Sequence, residues 1–402
     1  MRPWLILLAA ATSGFGQSFA ERGAIETSLF AFPQTAPGDS GRTVGTARFT
    51  FDASYRLNSK WRIFGAVEAD TDTHRAIERI LHFSWRDREA LRPAFALRRL
   101  SATYTSGKLV LEFGKQLIRW GKADILNPTD RFAPKDFLNV FHTEYLGIMA
   151  SRVQYGNQAN TVEAIYAPYL TPSRMPLLNQ RWTILPEGIS LLDLGSDLPG
   201  GPQFGGRWNH IGSSTEFSLS YFDGYNHLPL IEARAAFLPL PTAVIRRTYP
   251  RIRTYGADAA IPLKPFTVKF ESAYFTSPRT NADEYLIYVL QLERQVHEFS
   301  FLGGYAGQVV TRITGSPNFD PERGMTRSVL GRAAYTIDTN RSVSVEAAVR
   351  QNGRGSLVKS EYTQALGGHW RATVGFVWIH GAEGDFLGQF HRNSFGTLGF
   401  RY

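Results

Sequence analysis

The chain has 402 residues, of which 43% are hydrophobic and 13% aromatic, with 37 glycines and no cysteine. A chain of this length without disulfides needs a large core or extensive strand pairing, which excludes the small, cysteine-stabilised class of exported protein. The net charge is +9, but no nucleic-acid-binding motif accompanies it, so we expect no nucleic-acid partner.

Residues 1–20 have the layout of a secretory signal peptide. A basic residue, Arg2, precedes an apolar run, and Ala20 completes a small-x-small cleavage site. The apolar run is too short to span a bilayer as a helix, and no later segment offers about eighteen consecutive apolar residues. We therefore predict an exported protein whose mature domain covers residues 21–402.

Two-residue periodicity begins soon after the signal peptide. From Ala47 to Leu57 every second residue is apolar or aromatic, and the residues between them, such as Arg48 and Asp52, are polar or charged. This alternation is typical of a strand with one apolar and one polar face. The runs reach about ten residues, the length of a tilted strand that crosses a bilayer, whereas strands of soluble sandwiches usually have about five or six. The same alternation recurs at residues 61–70, 266–274, 342–350 and 370–378.

Short turns alternate with long connections along the whole chain. Tight turns at one end and long loops at the other are typical of a transmembrane antiparallel up-and-down β-barrel. We predict an all-β barrel of about 18 strands, with 16 as the alternative because two strands, Glu21–Phe32 and the one near Glu284, have weaker patterns. The predicted short turns are Asn58-Ser59, Ser106-Gly107, Gly156-Asn157, Gly212-Ser213, Leu263-Lys264, Arg294-Gln295, Asp338-Thr339 and Gly367-Gly368. The predicted long connections are roughly residues 33–43, 74–92, 121–145, 169–202, 224–249, 278–283, 314–323, 353–355 and 381–390.

The inner face of such a barrel carries charges of both signs. A tube of this width is not filled by wall side chains alone, so it must hold water, a folded-in loop or both. Charges that would be costly in a dry core are tolerated around water. The mixture of signs predicts a weak anion preference at most. The candidate lumen-wall residues are Arg48, Arg62, Glu68, Arg99, Glu112, Lys269, Glu271, Arg332, Glu346, Arg350 and Arg371.

The third long connection, residues 121–145, is the most distinctive segment. Pro128 and Pro134 interrupt extended structure, and apolar residues such as Trp120 and Phe132 are uncommon in a free surface loop. We expect this loop to fold into the lumen and narrow it; the alternative is a structural cap over the barrel rim. The candidate constriction residues are Lys122, Asp124, Asp130, Arg131, Lys135 and Asp136.

The C-terminal residues Leu398, Phe400 and Tyr402 alternate with small or charged residues. This ending resembles the closing strand of bacterial outer-membrane β-barrels, whose terminal aromatic is taken as the assembly signal. The string GKQ…WGxAD…NPTD, which starts at Gly114, is similar to a segment of poorly characterised porin-like outer-membrane barrels. In general porins, too, the third outer loop folds inward as the constriction. The motif likeness covers about 25 residues, and no acidic-loop and basic-ladder motif of general porins is present.

The resemblance implies a bacterial outer-membrane location. It also implies three kinds of partner: outer-membrane lipid and lipopolysaccharide, small solutes, and the barrel assembly machinery, which would bind the C-terminal strand. A plug domain has no room before the barrel, because the strand pattern begins within a few residues of the predicted cleavage site.

No chemistry-bearing motif is present. The nine histidines are scattered, and neither H-E-x-x-H nor G-x-S-x-G occurs, so we predict no enzyme and no catalytic, cofactor-binding or metal site. We expect a porin-like outer-membrane channel for passive or weakly selective diffusion of small hydrophilic solutes. The alternative is a surface-structural or export-associated outer-membrane barrel without general pore activity.

Overall fold

The chain forms a closed barrel of antiparallel strands. The computed structural model describes residues 18–184, 190–237, 241–279, 281–315 and 319–402. Within them, eighteen strands each pair with the next, and the last pairs with the first. Most of the predicted signal peptide lies outside the described residues, while Phe19, close to its predicted end, already begins the first strand. No helix in the described ranges is long and apolar enough to cross a membrane.

The strands have from seven to fourteen residues, so many reach the predicted length of about ten and a few, such as the last, are shorter. Both strands with weak patterns are present, as the first and twelfth, so the count of 18 is confirmed and 16 is wrong. The barrel strands are β1 Phe19–Ala31, β2 Thr43–Arg56, β3 Trp61–Asp72, β4 Phe95–Ser106, β5 Leu109–Gln116, β6 Ile148–Gly156, β7 Asn160–Ala167, β8 Gln203–Ile211, β9 Glu216–Tyr225, β10 Arg251–Pro262, β11 Thr267–Thr276, β12 Glu284–Val296, β13 Phe299–Arg312, β14 Ser328–Asp338, β15 Arg341–Arg350, β16 Gly355–Leu366, β17 Trp370–Gly381 and β18 Phe395–Arg401.

Short turns close one end of the barrel, the turn end, and long connections close the other, the loop end. One predicted turn was misplaced: Arg294 and Gln295 still belong to β12, and His297 and Glu298 make the turn. His297 has a positive φ of 52°, a conformation usually marked by Gly or Asn. Neither Gly nor Asn occurs in this turn, which explains why the turn was predicted about three residues too early.

Side chains alternate between an apolar outer face and a polar inner face. On the outer face, Phe49 and Val374 are 44% and 51% exposed. On the inner face, the charged residues Asp70 and Glu271 are buried. The apolar side chains therefore face the surroundings of the barrel and the ionic ones face its interior, as predicted.

The interior near the loop end is packed with aromatic residues from several connections. Trp182, between β7 and β8, lies 6.4 Å from Phe32, 6.0 Å from Phe390 and 6.1 Å from Phe395, measured between ring centroids. Phe141 lies 5.5 Å from Phe390 in the same way. The long connections thus fold inward and build a core inside the barrel.

The connections also contain short elements of their own. Ser190–Asp197, Leu230–Phe237 and Pro241–Thr248 form a three-stranded sheet, and Lys135–Asp136 pairs with Glu144–Tyr145. Phe83–Ser84 pairs with the start of β4. Two short helical segments follow β13 and β17: the α-helix α1, Pro321–Gly324, and the 3-10 helix Gly388–Asn393.

Candidate functional site

The connection between β5 and β6, residues 117–147, lies inside the barrel; we call it the inner loop. Near its start, the Nζ of Lys122 lies 3.0 Å from a carboxylate oxygen of Asp258 on β10. Near its end, Glu144 is paired with Arg48 on β2. Since β2 and β10 are well separated around the barrel, the inner loop crosses the interior.

Glu271 on β11 anchors the first part of the inner loop. Its buried carboxylate accepts hydrogen bonds from the backbone N–H groups of Lys122, Ala123 and Thr129 at 2.9, 2.9 and 3.0 Å. The hydroxyl of Thr129 donates a fourth, at 2.8 Å. These donors compensate a charge that would be costly to bury alone. Glu271, predicted as a wall charge, therefore fixes the loop to the wall.

Two further contacts join this part of the loop to the same wall. The backbone N–H of Asp124 donates to the Gln291 side chain on β12 at 3.1 Å, and its carboxylate lies 2.9 Å from the Nζ of Lys269. Lys269 also pairs with Glu293 at 2.8 Å. Lys122 and Asp124 thus bind wall residues, as a loop folded against the inner wall requires.

Asp130 shapes the inner loop from within. Its carboxylate accepts hydrogen bonds from the backbone N–H groups of Trp120 at 2.6 Å and Gly121 at 2.7 Å, and pairs with Arg119 at 3.1 Å. The indole N–H of Trp120 donates to Glu163 on β7 at 2.6 Å. The turn and the aromatic anchor are therefore fixed to each other and to the wall.

Arg131 and Lys135 both pair with Glu322 of α1, at 2.8 and 3.0 Å. All three are largely buried. Burial on its own raises the pKa of the Glu322 carboxyl, but the positive charges of Lys135 and Arg131 outweigh it and hold this pKa at about 2. The cluster ties the inner loop to the β13–β14 connection and stays ionised at neutral pH.

Asp136 lies between two arginines from other connections. The Nε of Arg92 donates to its carboxylate at 2.8 Å, and Arg174 donates to the same oxygen at 2.5 Å. Burial favours a higher pKa, yet the two guanidiniums keep the pKa of Asp136 well below its usual value. Three connections, carrying Arg92, Asp136 and Arg174, are thereby joined at one buried carboxylate.

These buried acids predict an acid-sensitive interior. Because the pKa of Glu322 is lower in the folded protein, about 2, than its ordinary 4.5, its pairs stabilise the fold fully above pH 4.5, and this contribution is lost as pH falls toward 2. We expect the unfolding temperature to fall over this range, and Glu322→Gln to flatten that dependence. Asp338→Asn, which removes an exposed ion pair with Arg341 at the turn end, is the control and should change the slope far less, because solvent screens that pair. Parallel curves for Glu322→Gln and the unmodified protein would contradict this assignment.

An open cavity of about 440 Å³ remains beside the inner loop. It runs along the inner faces of β14 to β18 and β1, and the inner loop contributes Phe141 and His142 to its lining. The charges of both signs predicted for the lumen are therefore found together in this cavity. The basic residues that line it are Arg332, Lys359, Arg371 and Arg401, and the acidic ones are Glu26, Glu346 and Glu361.

The other predicted wall residues near β2 to β6 are neutralised in pairs. The Nε of Arg48 donates to Asp70 at 2.7 Å. Glu68 pairs with Arg98 at 3.2 Å, and Glu112 lies 3.9 Å from Arg152. These ion pairs hold neighbouring strands together.

Three predicted wall arginines have other surroundings. The guanidinium of Arg99 lies 4.4 Å from the centre of the Phe64 ring. Arg350 pairs with Asp385 at 3.0 Å and so fixes the β17–β18 connection. Arg62 lies at the turn end, directly across from Arg56 in the pairing of β2 with β3.

The sequence pattern missed several residues of the interior. Arg98 has no partner in the register between β3 and β4, where a bulge brings both it and Arg99 to the inner side. Lys115, two residues after the outward-facing Phe113, instead pairs with Asp87 at 2.5 Å. Gly114 between them has a φ of +121°, which interrupts the alternation and favours glycine. Arg92, Arg174 and Glu322 lie in connections, where no periodicity marks them.

The architecture is that of a transmembrane β-barrel of the porin type: eighteen antiparallel strands, a charged interior and a long loop folded inside. No known family model matches the sequence, and no curated protein matches it. Solved structures do match. Acinetobacter baumannii OccAB4 is 9% identical with a TM-score of 0.57, over 96% of this chain and 98% of that one. A BenF-like porin from Pseudomonas fluorescens Pf-5 is 10% identical with a TM-score of 0.57, over 97% and 99%.

Pseudomonas aeruginosa OpdK, whose structure was solved with vanillate, is 10% identical with a TM-score of 0.55, over 96% of this chain and 98% of that one. At such identities the likeness shows a shared fold over nearly the full length of each chain.

Proposed function

We propose that the protein is an outer-membrane channel for passive, weakly selective diffusion of small hydrophilic solutes, and not an enzyme. The observation that carries this proposal is the open, charged cavity inside a closed barrel whose outer face is apolar. In hydrocarbon every backbone N–H and C=O must be paired internally, and a closed sheet meets this requirement. The same sheet encloses a polar cavity, an environment that lipid cannot provide.

The outer surface supports an outer-membrane location. At the turn end, Trp61 and Tyr104 lie 5.0 Å apart on the outer face, and Trp370 and Tyr402 do the same. Aromatic pairs of this kind anchor barrels at the membrane interface. The porin fold of the structural neighbours agrees with this location. Lipid and lipopolysaccharide would then surround the barrel, with the turn end on the periplasmic side.

We also propose that the inner loop sets the size of the pore. The candidate constriction residues support this role indirectly, because Lys122, Asp124, Arg131 and Asp136 fix the loop to the wall and to other connections. Next to the cavity the loop presents Phe141 and His142. Passing solutes would therefore meet these two side chains on one side and the charged wall on the other.

Conductance across a planar bilayer tests the channel. We expect steady ohmic steps, and a reversal potential close to zero in a salt gradient, because both basic and acidic side chains line the cavity. A strong ion preference would contradict the weak selectivity. The same recordings also test the alternative, a surface-structural or export-associated barrel.

One observation favours that alternative: the aromatic packing of Trp182, Phe390 and Phe395 inside the loop end, which narrows access from that side. Correctly folded protein that inserts and stays silent at all applied voltages would support the structural barrel and overturn the channel.

Recognition of the C-terminal strand by the barrel assembly machinery predicts an insertion defect in Tyr402→Ala. Tyr402 closes the barrel through two backbone hydrogen bonds with Ile25, of 3.1 and 2.9 Å, which alanine keeps. We therefore expect several-fold less protein in the outer-membrane fraction, although the closed sheet itself is retained. Tyr335→Ala is the control, since Tyr335 is another tyrosine near the turn end, stacked on Phe299 at 4.4 Å. Equal insertion of both variants would argue against the terminal aromatic as the signal.

A further inference from the structure

The outer face of the barrel has a recess at the loop end, above the short last strand. β18 begins at Phe395, which pairs with Val377, whereas β17 continues to Gly381. Over this stretch the hydroxyl of Ser394 replaces the missing strand: it accepts a hydrogen bond from the backbone N–H of Ile379 at 3.0 Å and donates to its carbonyl at 3.3 Å. The missing strand length leaves an opening of about 310 Å³ in the outer wall.

The recess has one apolar wall and one basic side. Phe376 and Trp378 of β17 form the wall and are 46% and 42% exposed. The ring of His380 stacks on Trp378 with ring centroids 5.4 Å apart and planes inclined by 3°. His391 and Arg392, from the 3-10 helix, line the opposite side. No acidic side chain lines the recess among the described residues.

Arg392 is free to bind an anion. Arg392 is exposed, and its guanidinium has no hydrogen-bond or ion-pair partner in the part of the chain that the structure describes. Nδ1 of His391 donates to the carbonyl of Gly388 at 2.8 Å, which orients the ring that lines the recess. With Nε2 also protonated, this ring would donate a hydrogen bond to an anion. A basic cluster without a counter-ion complements a phosphate group.

The position of the recess along the barrel axis indicates which phosphate would reach it. Trp370 marks the membrane interface at the turn end, and His380 lies ten residues further along β17. At about 3.3 Å per residue and a tilt near 45°, this distance corresponds to roughly 23 Å of height, close to the apolar band of about 25 Å. The recess therefore opens sideways at the level of the outer-leaflet headgroups.

We propose that this recess binds a phosphorylated glycolipid of the outer leaflet, with its phosphate on Arg392, His391 and His380 and an acyl chain along Trp378 and Phe376. A free phosphate would use the cations and leave the aromatic wall without a role. The proposal rests on the outer-membrane location proposed above. Bound lipid would also cover the stretch of β17 that β18 leaves unpaired.

Native mass spectrometry of the detergent-solubilised full chain, titrated with lipid A, tests the site. We expect Arg392→Gln to weaken binding of bisphosphorylated lipid A about tenfold, the effect of losing one charge-assisted hydrogen bond. Dephosphorylated lipid A should bind equally to this variant and to the unmodified protein. Trp378→Ala should weaken both lipids. Arg327→Gln is the matched control, because Arg327 is exposed at the loop end three strands away.

The outcomes separate the proposal from its rivals. Equal affinity of Arg392→Gln and Arg327→Gln for bisphosphorylated lipid A would overturn the site. Full competition by inorganic phosphate, with no effect of Trp378→Ala, would show an ion site instead of a lipid site. Planar-bilayer recordings on the same preparations test the proposed channel independently of the proposed lipid site. A silent barrel that still binds lipid A through Arg392 would contradict the channel alone, and a conducting barrel without that dependence would contradict the recess alone.

Discussion

Replacing Lys122–Leu138 with a short Gly-Ser linker is expected to raise the single-channel conductance several-fold, while the barrel still assembles. This segment holds most of the contacts that carry the inner loop across the interior, from Asp258 on β10 to the arginines around Asp136. Its removal joins the space it fills to the open cavity of about 440 Å³. Conductance grows with the open cross-section of a water-filled pore, so the effect should be large.

The comparison requires folded protein, which heat-modifiable electrophoretic mobility can establish for a barrel. Reversal potentials measured on the same protein would show whether selectivity also changes, since Phe141 and His142 remain in the chain and lose their support. An unchanged current from a folded deletion variant would remove the inner loop from the proposed constriction.

Glu271→Ala is expected to release the inner loop without removing it. The substitution leaves three backbone N–H groups and the Thr129 hydroxyl without their acceptor. Breaking a buried, hydrogen-bonded charge site of this kind costs about 3 kcal/mol. We expect a lower unfolding free energy in urea and frequent fluctuations of single-channel current as the loop moves.

Two variants make this test specific. Glu271→Gln keeps one acceptor oxygen and should lie between the alanine variant and the unmodified protein. Glu293→Ala removes another inward-facing glutamate, which pairs with Lys269 but makes no bond to the loop. Its side chain is 39% exposed, so a change below about 1 kcal/mol is expected. If both alanine variants gave equally quiet current, the anchoring role of Glu271 would be wrong.

The strands could be predicted because their environment repeats every two residues. Phe49 and Val345 face outward, and their neighbours Arg48 and Glu346 face inward. Lipid on one side of the wall and water on the other favour this alternation along every strand. The length of the strands and the alternation of short and long connections then predict a barrel and its number of strands. The sequence also favours a loop that folds inward, because apolar anchors such as Phe132 need a surface to pack against, and Phe132 lies in the buried hydrophobic cluster.

The contacts of that loop could not be predicted in the same way. Asp136 binds Arg92 and Arg174, which lie 44 and 38 residues away in other connections, and no periodicity links such positions. Local departures from regular strand geometry also placed residues where the sequence pattern did not predict them. The bulge that turns Arg98 inward and the positive φ of Gly114 both break the alternation on which the prediction depended.

The seam between β1 and β18 sets a condition on how the protein is made. Glu26 pairs with Arg401 and Leu29 with Leu398, so the two strands that meet there come from opposite ends of the amino-acid sequence. Until the final residues emerge, one edge of the growing sheet has no mate, and exposed edges of this kind invite aggregation. The barrel therefore cannot close before its last strand is available, and the outer edge of β1 stays unpaired until then.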